Sequence, residues 1–347
     1  MSTTPLPTYP WAKRKRDRGI DFSVLAISIL ISWGLVEGTG LKGKLGFFSS
    51  FFFVYLFLNY AAKRITRNKV EAKDAVFSTF ALFGIILTLI PIISIVSTVV
   101  VKGYKGLHLG LLTHDMALNS VNDPITSGGL LHALTGTIIM VGGALIISLP
   151  LGILTALYLT EIKGRFARPV KFLVQALSGV PSIVAGLFIL SSLVYPITKS
   201  LSGFMGSLAL SILMIPTIAR TSEEMLLLIP QDLREAGVAL GGTQWRTVAG
   251  VVLPAAKSGL LTATILGVAR VIGETAPLLL VSGGADATNL NPFHGPMGSL
   301  PYYIWKAFLT GGTDQAFARA WAGMLILLIF IFILFGTARY LGRSSKK

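Results

Sequence analysis

Long apolar runs separated by short polar segments make up most of this chain. The apolar core of a bilayer is about 30 Å thick, so a helix needs roughly 20 mainly apolar residues to cross it. Eight runs reach or approach that length, and they predict an all-α, polytopic membrane protein with about eight transmembrane helices. The runs are Ile20 to Val36, Leu45 to Ala62, Ala75 to Val101, Leu130 to Thr160, Phe172 to Thr198, Gly206 to about Leu228, Ser258 to Ser282, and Ala320 to Leu341.

The distribution of Lys and Arg predicts the orientation, because short cytoplasmic loops collect basic residues. If the N-terminus starts inside and the runs alternate, 21 of the 30 Lys and Arg residues fall on the inner face and 7 on the outer face. Arg220 and Arg270 remain within or at the edge of runs. This count predicts a multi-pass protein of the cell (inner) membrane with both termini in the cytoplasm. No small-residue cleavage site follows Val36, so the first run is interpreted as an uncleaved span.

Composition agrees with a membrane protein and narrows the chemistry. Of the 347 residues, 53% are hydrophobic and 13% charged, with a mean hydropathy of +0.73. The net charge of +15 does not indicate nucleic acid, because the basic residues cluster at the ends of apolar runs rather than on one aromatic-interleaved face. The absence of cysteine excludes disulfides and thiol catalysis. The four histidines lack ligand spacing, so we predict no metal site and no catalytic residue.

One polar, helix-forming segment, residues 232–254, lies between the sixth and seventh runs on the predicted cytoplasmic side. Asp232 is a suitable N-cap for a helix from Leu233 to Leu240. Gly241 then permits a left-handed turn, and Thr243 can cap a second short helix. This pattern predicts a compact two-helix knob that fits a groove on a soluble partner. The alternative is an amphipathic hairpin lying on lipid headgroups.

Charged residues inside the apolar runs are the candidates for a transport path. Arg270 and Glu274 are four residues apart in the seventh run and so are predicted to share one helix face. Because a charge in the bilayer costs about 2.5 to 3.5 kcal/mol, we interpret Arg270 as a donor to a crossing oxyanion and Glu274 as its orienting partner. The alternative is a purely structural ion pair. Arg220 is a second anion ligand if the sixth span continues to Leu228, and an ordinary inner-face residue if that span stops at Ala219.

Two outer segments are long, Lys102 to Gly129 and Gly283 to Arg319. They are candidate docking surfaces, since long ordered loops are often functional. They are equally compatible with simple connectors.

The spacing within the cytoplasmic segment resembles a family motif. Glu235-Ala236-Gly237, then Gly241, then Val251-Val252-Leu253-Pro254 is similar to the EAA loop of ABC-importer permeases, with Gly237 in place of the second Ala and Val251 in place of Ile. In that family the loop couples the permease to an ATPase, which assigns coupling roles to Glu235, Ala236, Gly241, Leu253 and Pro254. The stretches GVPSIVAGLF from Gly179, ARTSEEMLLLIP from Ala219 and ARVIGETAPLLL from Ala269 resemble the phosphate-specific permeases of the PstA type.

The resemblance extends from about Leu130 to Leu341 and implies a six-span permease core over residues 75–347, preceded by an extra two-span extension over residues 1–74. It also implies roles for Arg220 and Arg270 in phosphate passage. The implied partners are a second permease of the PstC type, a dimer of PstB-type ATPase subunits and an extracytoplasmic phosphate-binding protein of the PstS type, besides membrane lipid.

The chain has no Gly-x-x-x-x-Gly-Lys-Ser/Thr phosphate loop, so we expect no cofactor in it and expect ATP and Mg²⁺ to be bound by the ATPase. The chain is thus expected to be a transport subunit and not itself an enzyme. Two alternatives stay open: a permease for sulfate, molybdate or another oxyanion, and an ion-coupled secondary transporter or channel that works alone.

Overall fold

The computed structural model describes residues 15–40 and 43–343, and within these residues the secondary structure is helical, with no β-strand. The chain divides into two compact units, Met1–Val96 and Ser97–Lys347. The sequence-based boundary between residues 74 and 75 stays a prediction. Some basic residues used to predict the orientation lie outside the described residues: Lys13, Arg14, Lys42, Lys346 and Lys347.

The first unit contains two complete helices and most of a third. They are α1 (Lys15–Thr39), α2 (Lys44–Thr66) and α3 (Lys69–Gly103), of which α3 continues into the second unit. The Phe52 ring on α2 lies 4.7 Å from that of Phe83 on α3, a T-shaped pair of the kind that contributes about 0.5 to 1.5 kcal/mol. Lys63 also pairs with Asp21 of α1 at 2.6 Å. Aromatic packing and polar contacts therefore join these helices.

The second unit contains the remaining helices. They are α4 (Leu131–Leu157, followed by a π-helical turn Tyr158–Ile162), α5 (Ala167–Ser178), α6 (Ser182–Ile189, followed by a π-helical stretch Leu190–Thr198), α7 (Gly203–Leu227), α8 (Gln231–Ala239), α9 (Gln244–Thr247, followed by a π-helical turn Val248–Val252), α10 (Leu253–Val271), α11 (Ala276–Val281), α12 (Leu300–Thr310) and α13 (Asp314–Arg343).

The prediction of a polytopic helical membrane protein is confirmed. Within the described residues, seven helices are long and apolar enough to cross a membrane, or eight if α5 and α6 together form one. That pair is bent by 106°, so the fifth predicted span, Phe172 to Thr198, is not one straight helix. Pro181 lies in the break, where its ring and missing N–H prevent a regular helix.

Helix α7 is the centre of the second unit. In its apolar window 67% of residues are buried, against 33% for the candidate span that contains α4 and 22% for the one that contains α10. Small residues allow the close approach: a methyl group at Gly143 of α4 would lie 2.6 Å from Ser207 Oγ, and one at Gly206 would lie 2.5 Å from Met140 Sδ. This central position gives α7 neighbours on both sides, α4 and α10.

The two long outer segments are fastened to each other. Asp115 accepts hydrogen bonds from the Thr288 N–H and the Thr288 hydroxyl, both at 3.0 Å, and the Met116 N–H donates to Asp286 O at 3.0 Å. The N–H of Thr288 is the main cause that lowers the pKa of Asp115 below its ordinary value. The second segment also contains a helix that the sequence analysis did not predict, α12, although the Ser299 cap and Pro301 in the first turn signal its start.

Arg319 anchors this outer layer. Its side chain is fully buried, and Nη2 donates to three backbone carbonyls of the first outer segment, Asp123 O at 3.2 Å, Pro124 O at 2.6 Å and Ser127 O at 2.7 Å. Carbonyl groups on a turn have few other partners once buried, so one guanidinium satisfies them together. The outer segments therefore form one ordered layer, and its use as a docking surface stays a prediction.

Candidate functional site

The predicted cytoplasmic knob is present, with a different division into helices. Helix α8 begins at Gln231 after Pro230, so Asp232 lies in its first turn and is not the N-cap that the sequence suggested. Proline explains the shift, because its fixed φ and missing N–H suit the position before or at a helix start. Gly241 has a φ of +82° and ends the helix, as predicted. Thr243 caps α9, where its Oγ1 accepts from the Arg246 N–H at 3.4 Å.

The second short helix of the knob is in fact the start of the next membrane helix. Residues 244–271 form one continuous helical segment that contains the π-helical turn Val248–Val252. Pro254, in the first turn of α10, has no N–H to bond the carbonyl four residues earlier, and a wider turn relieves the clash of its ring with that carbonyl. Leu253 and Pro254 therefore lie inside this helical segment, which joins the knob rigidly to α10.

Helix α8 has one face toward the protein and one toward solvent. Gly237 is on the inner face, where a methyl group would lie 2.5 Å from Thr247 Cγ2. Glu235 and Ala236 are exposed, and Leu240, at the end of the helix, is 90% exposed. Two residues of the family motif on α8, Glu235 and Ala236, are thus accessible to a partner. The third, Gly237, packs against Thr247.

Arg234 is a residue of this site whose role sequence analysis missed. Its guanidinium donates hydrogen bonds to the Glu161 carboxylate, near the end of the π-helical turn after α4, from Nε to Oε2 at 3.1 Å and from Nη2 to Oε1 at 2.8 Å. It also donates to two carbonyls at the end of α7, Ile229 O at 2.6 Å and Leu226 O at 2.9 Å. Glu161 is 73 residues away along the chain, and no local pattern indicates the pairing.

The seventh predicted span is broken where Arg270 and Glu274 were expected to share a helix face. Arg270 lies in the last turn of α10 and is exposed, whereas Glu274 is half-buried in the break before α11. Pro277 has no N–H for the carbonyl of Gly273, four residues earlier, which weakens the helix at the position where it breaks. In the described part of the chain, the two side chains form no ion pair within 4.0 Å. The expectation that Arg270 and Glu274 pair on one helix face is therefore wrong.

The structure agrees with the longer of the two sixth spans considered for Arg220. Helix α7 continues past Ala219 and ends at Leu227, so Arg220 lies within a helix long and apolar enough to span a membrane. Its side chain is 63% exposed, and Nε lies 3.7 Å from Glu224 Oε1, one helical turn away. An exposed pair at this distance contributes little to stability, so the guanidinium is available to a ligand.

Arg220 and Arg270 lie on neighbouring antiparallel helices. Gly259 of α10 packs against Met225 of α7, and Gly267 packs against Ile218, which fixes the register. In this register Arg270 lies five or six residues beyond the level of Arg220, an axial offset of about 8 Å at 1.5 Å per residue. Both arginines are exposed in the single chain, and the knob connects the two helices that carry them.

Comparison with known proteins identifies the family. Residues 148–347 match the binding-protein-dependent transport system inner membrane components. The chain belongs to this family of transport permeases. The phosphate transport system permease protein PstA 1 of Mycobacterium tuberculosis is 40% identical over 261 residues, which cover 75% of this chain and 85% of that protein. PstA of Haemophilus influenzae is 39% identical over 239 residues, covering 68% of this chain and 82% of that protein.

These relatives confirm the resemblance to phosphate permeases of the PstA type. A solved structure of the MetNI methionine ABC transporter, in inward-facing conformations, matches the permease with a TM-score of 0.51 and 22% identity. The match covers 63% of this chain and 95% of the chain in the solved structure. At 22% identity, the match supports the fold alone. The permease is thus a membrane-embedded transport subunit of an ABC importer, a class that works with an ATPase and a substrate-binding protein.

Proposed function

We propose that this permease forms one half of the path through which an ATP-driven importer carries inorganic phosphate, the other half being a second permease of the PstC type. The observation that carries the proposal is the similarity to two PstA phosphate permeases over at least 68% of the chain. The helical fold and the exposed arginines support it. The distribution of Lys and Arg supports an orientation with both termini in the cytoplasm.

Arg220 and Arg270 are the proposed phosphate ligands. A guanidinium offers a fork of donors that matches two oxygens of a phosphate, and the offset of about 8 Å lets two long side chains reach one anion or hand it from one to the other. Facing lipid, each exposed charge would cost about 2.5 to 3.5 kcal/mol. The surface that carries them is therefore proposed to face the second permease and the water-filled path. Glu274, half-buried in the helix break, is proposed to line the same path.

The exposed face of α8 is proposed to dock onto the ATPase. Glu235, Ala236 and the end of the helix at Gly241 are accessible, and the continuous segment through Leu253 and Pro254 passes the movement on to α10. A dimer of PstB-type subunits binds ATP and Mg²⁺, and no cofactor is held by the permease. On the other side, a PstS-type phosphate-binding protein docks on the outer layer fastened by Arg319.

The test is ATP-driven uptake of phosphate into vesicles that contain the permease, its PstC-type partner and the ATPase, with loaded binding protein outside. Replacing Arg270 with Gln removes a charge-assisted contact worth about 1.5 to 3 kcal/mol, so uptake falls by at least about tenfold. Lys257→Gln on the same helix is the matched control and leaves uptake unchanged. Normal uptake by the Arg270→Gln variant refutes the assigned role, and equal uptake of sulfate in place of phosphate refutes the assigned substrate.

A further inference from the structure

Helix α8 is held to the protein by few contacts. None of its residues is fully buried, so apolar packing does not fix its position. A cleft of about 880 Å³ separates it from the end of the segment that follows α4 and from the end of α7, with Glu161, Leu227, Arg234 and Val238 among its lining residues. Helix α8 packs against α9 at Gly237, and it needs a further bridge if its movements are to reach α4 and α7.

Arg234 supplies that bridge. Its guanidinium lines the cleft and donates hydrogen bonds to both oxygens of the Glu161 carboxylate and to two carbonyls at and just after the end of α7. The side chains of Arg234 and Glu161 are 17% and 8% exposed, so water screens the pair only weakly. A planar guanidinium that bonds four acceptor oxygens fixes both the distance and the angle of α8 relative to these groups, which a single ammonium group does not.

Glu161 also holds the other side of the knob. Its backbone carbonyl accepts a hydrogen bond from Gln244 Nε2 at 2.7 Å, in the first turn of α9. The end of the segment after α4 thus contacts both parts of the knob, α8 through Arg234 and α9 through Gln244. From Leu226, where Arg234 bonds the end of α7, Arg220 is six residues back along the same helix, about 9 Å.

We propose that the Arg234–Glu161 pair is a positioning pair that carries the movement of α8 into α4 and α7, and so sets how much phosphate is transported for each ATP hydrolysed. This inference rests on the proposed docking of α8 onto an ATPase. The pair touches neither ATP nor phosphate. It keeps α8 at a fixed distance and angle from the helix that carries Arg220, so that a displacement of α8 becomes a displacement of the path.

The experiment measures phosphate taken up per ATP hydrolysed by the complete transporter in vesicles. Arg234→Lys keeps the positive charge and loses the fork, and Glu161→Gln keeps the shape and loses the charge. In both, ATP hydrolysis by the assembled transporter persists while the ratio falls by roughly tenfold, a factor typical of coupling between sites. Arg168→Lys, an exposed arginine of α5 for which the described residues provide no side-chain partner, keeps the ratio.

A second measurement separates positioning from mere stability. Because the chain has no cysteine, spin labels at Lys163→Cys and Ala239→Cys report the separation of α8 from the segment after α4 in the complete transporter. The separation keeps one narrow distribution through the ATP cycle when Arg234 is present and broadens in Arg234→Lys. An unchanged ratio or an unchanged distribution in Arg234→Lys overturns the inference. Lack of ATP-driven phosphate uptake by the unsubstituted transporter overturns the proposed function instead, while the label distances still test the link.

Discussion

Gly237 offers a sharp test of how the knob is packed. It stands where the resembled motif has an alanine, and an added methyl group would lie 2.5 Å from Thr247 Cγ2 and 3.0 Å from Thr247 Oγ1. Alanine in a helix gains about 1 kcal/mol over glycine, whereas overpacking costs about 1 to 3 kcal/mol. We therefore expect Gly237→Ala to destabilise the protein by about 1 kcal/mol and to push α8 away from α9.

Removing the obstructing side chain reverses the effect. Thr247→Ala clears both close atoms, and it loses no hydrogen bond of the side chain because Thr247 Oγ1 is buried without a partner among the described residues. The double variant Gly237→Ala, Thr247→Ala is expected to recover the wild-type free energy of unfolding or exceed it. The assay is a double-mutant cycle from reversible unfolding in mixed micelles, with a favourable coupling of about 1 to 2 kcal/mol between the two substitutions. Additive effects, or a stabilising Gly237→Ala alone, refute the close contact.

Three further predictions concern the outer layer and the docking face. Arg319→Lys keeps a buried charge but loses the three carbonyl contacts, so the free energy of unfolding falls by about 3 to 5 kcal/mol. The control is Lys306→Gln, which breaks the partly exposed pair with Asp286 and costs less than about 1 kcal/mol. Equal effects of the two substitutions in unfolding measurements contradict this account. Asp115→Asn loosens the contact to Thr288 at neutral pH. Because the pKa of Asp115 is lowered in the folded protein, the stabilisation is present above the unfolded value of 3.8 and is lost as the pH falls through the folded pKa. The protease sensitivities of the wild type and the variant therefore converge in acid, and a difference that stays constant with pH refutes the assignment. Leu240→Asp places a charge on the exposed end of α8 and weakens ATPase binding by about tenfold in a pull-down titration; unchanged binding excludes Leu240 from the interface.

The sequence predicted the membrane helices well because the length of an apolar run and the cost of burying polar groups in lipid leave few alternatives. Predictions failed where the backbone departs from a regular helix inside an apolar run. The break before α11 and the bend between α5 and α6 each include or adjoin a proline, Pro277 and Pro181, but hydropathy does not distinguish a broken helix from a straight one.

The knob shows which parts of a site are local. The left-handed Gly241 and the Thr243 cap follow from neighbouring residues and are confirmed. The role of Arg234 has no local signal, because its partner Glu161 is brought to it by tertiary packing. The roles of Arg220, Arg270 and Glu274 in transport stay predictions, since the fold locates them but does not assign their ligand.

The most direct test of the account is disulfide or bifunctional cross-linking between α8 and the ATPase in the complete transporter. The permease has no cysteine of its own, so single cysteines at Glu235, Ala236 and Thr247 can be compared on the same background. The exposed residues 235 and 236 are expected to cross-link to the ATPase in an ATP-dependent manner, while residue 247, which is buried against Gly237, does not. Labelling of residues 235 and 236 only from the outer side of the membrane, or no cross-link to the ATPase at either residue, would contradict the account.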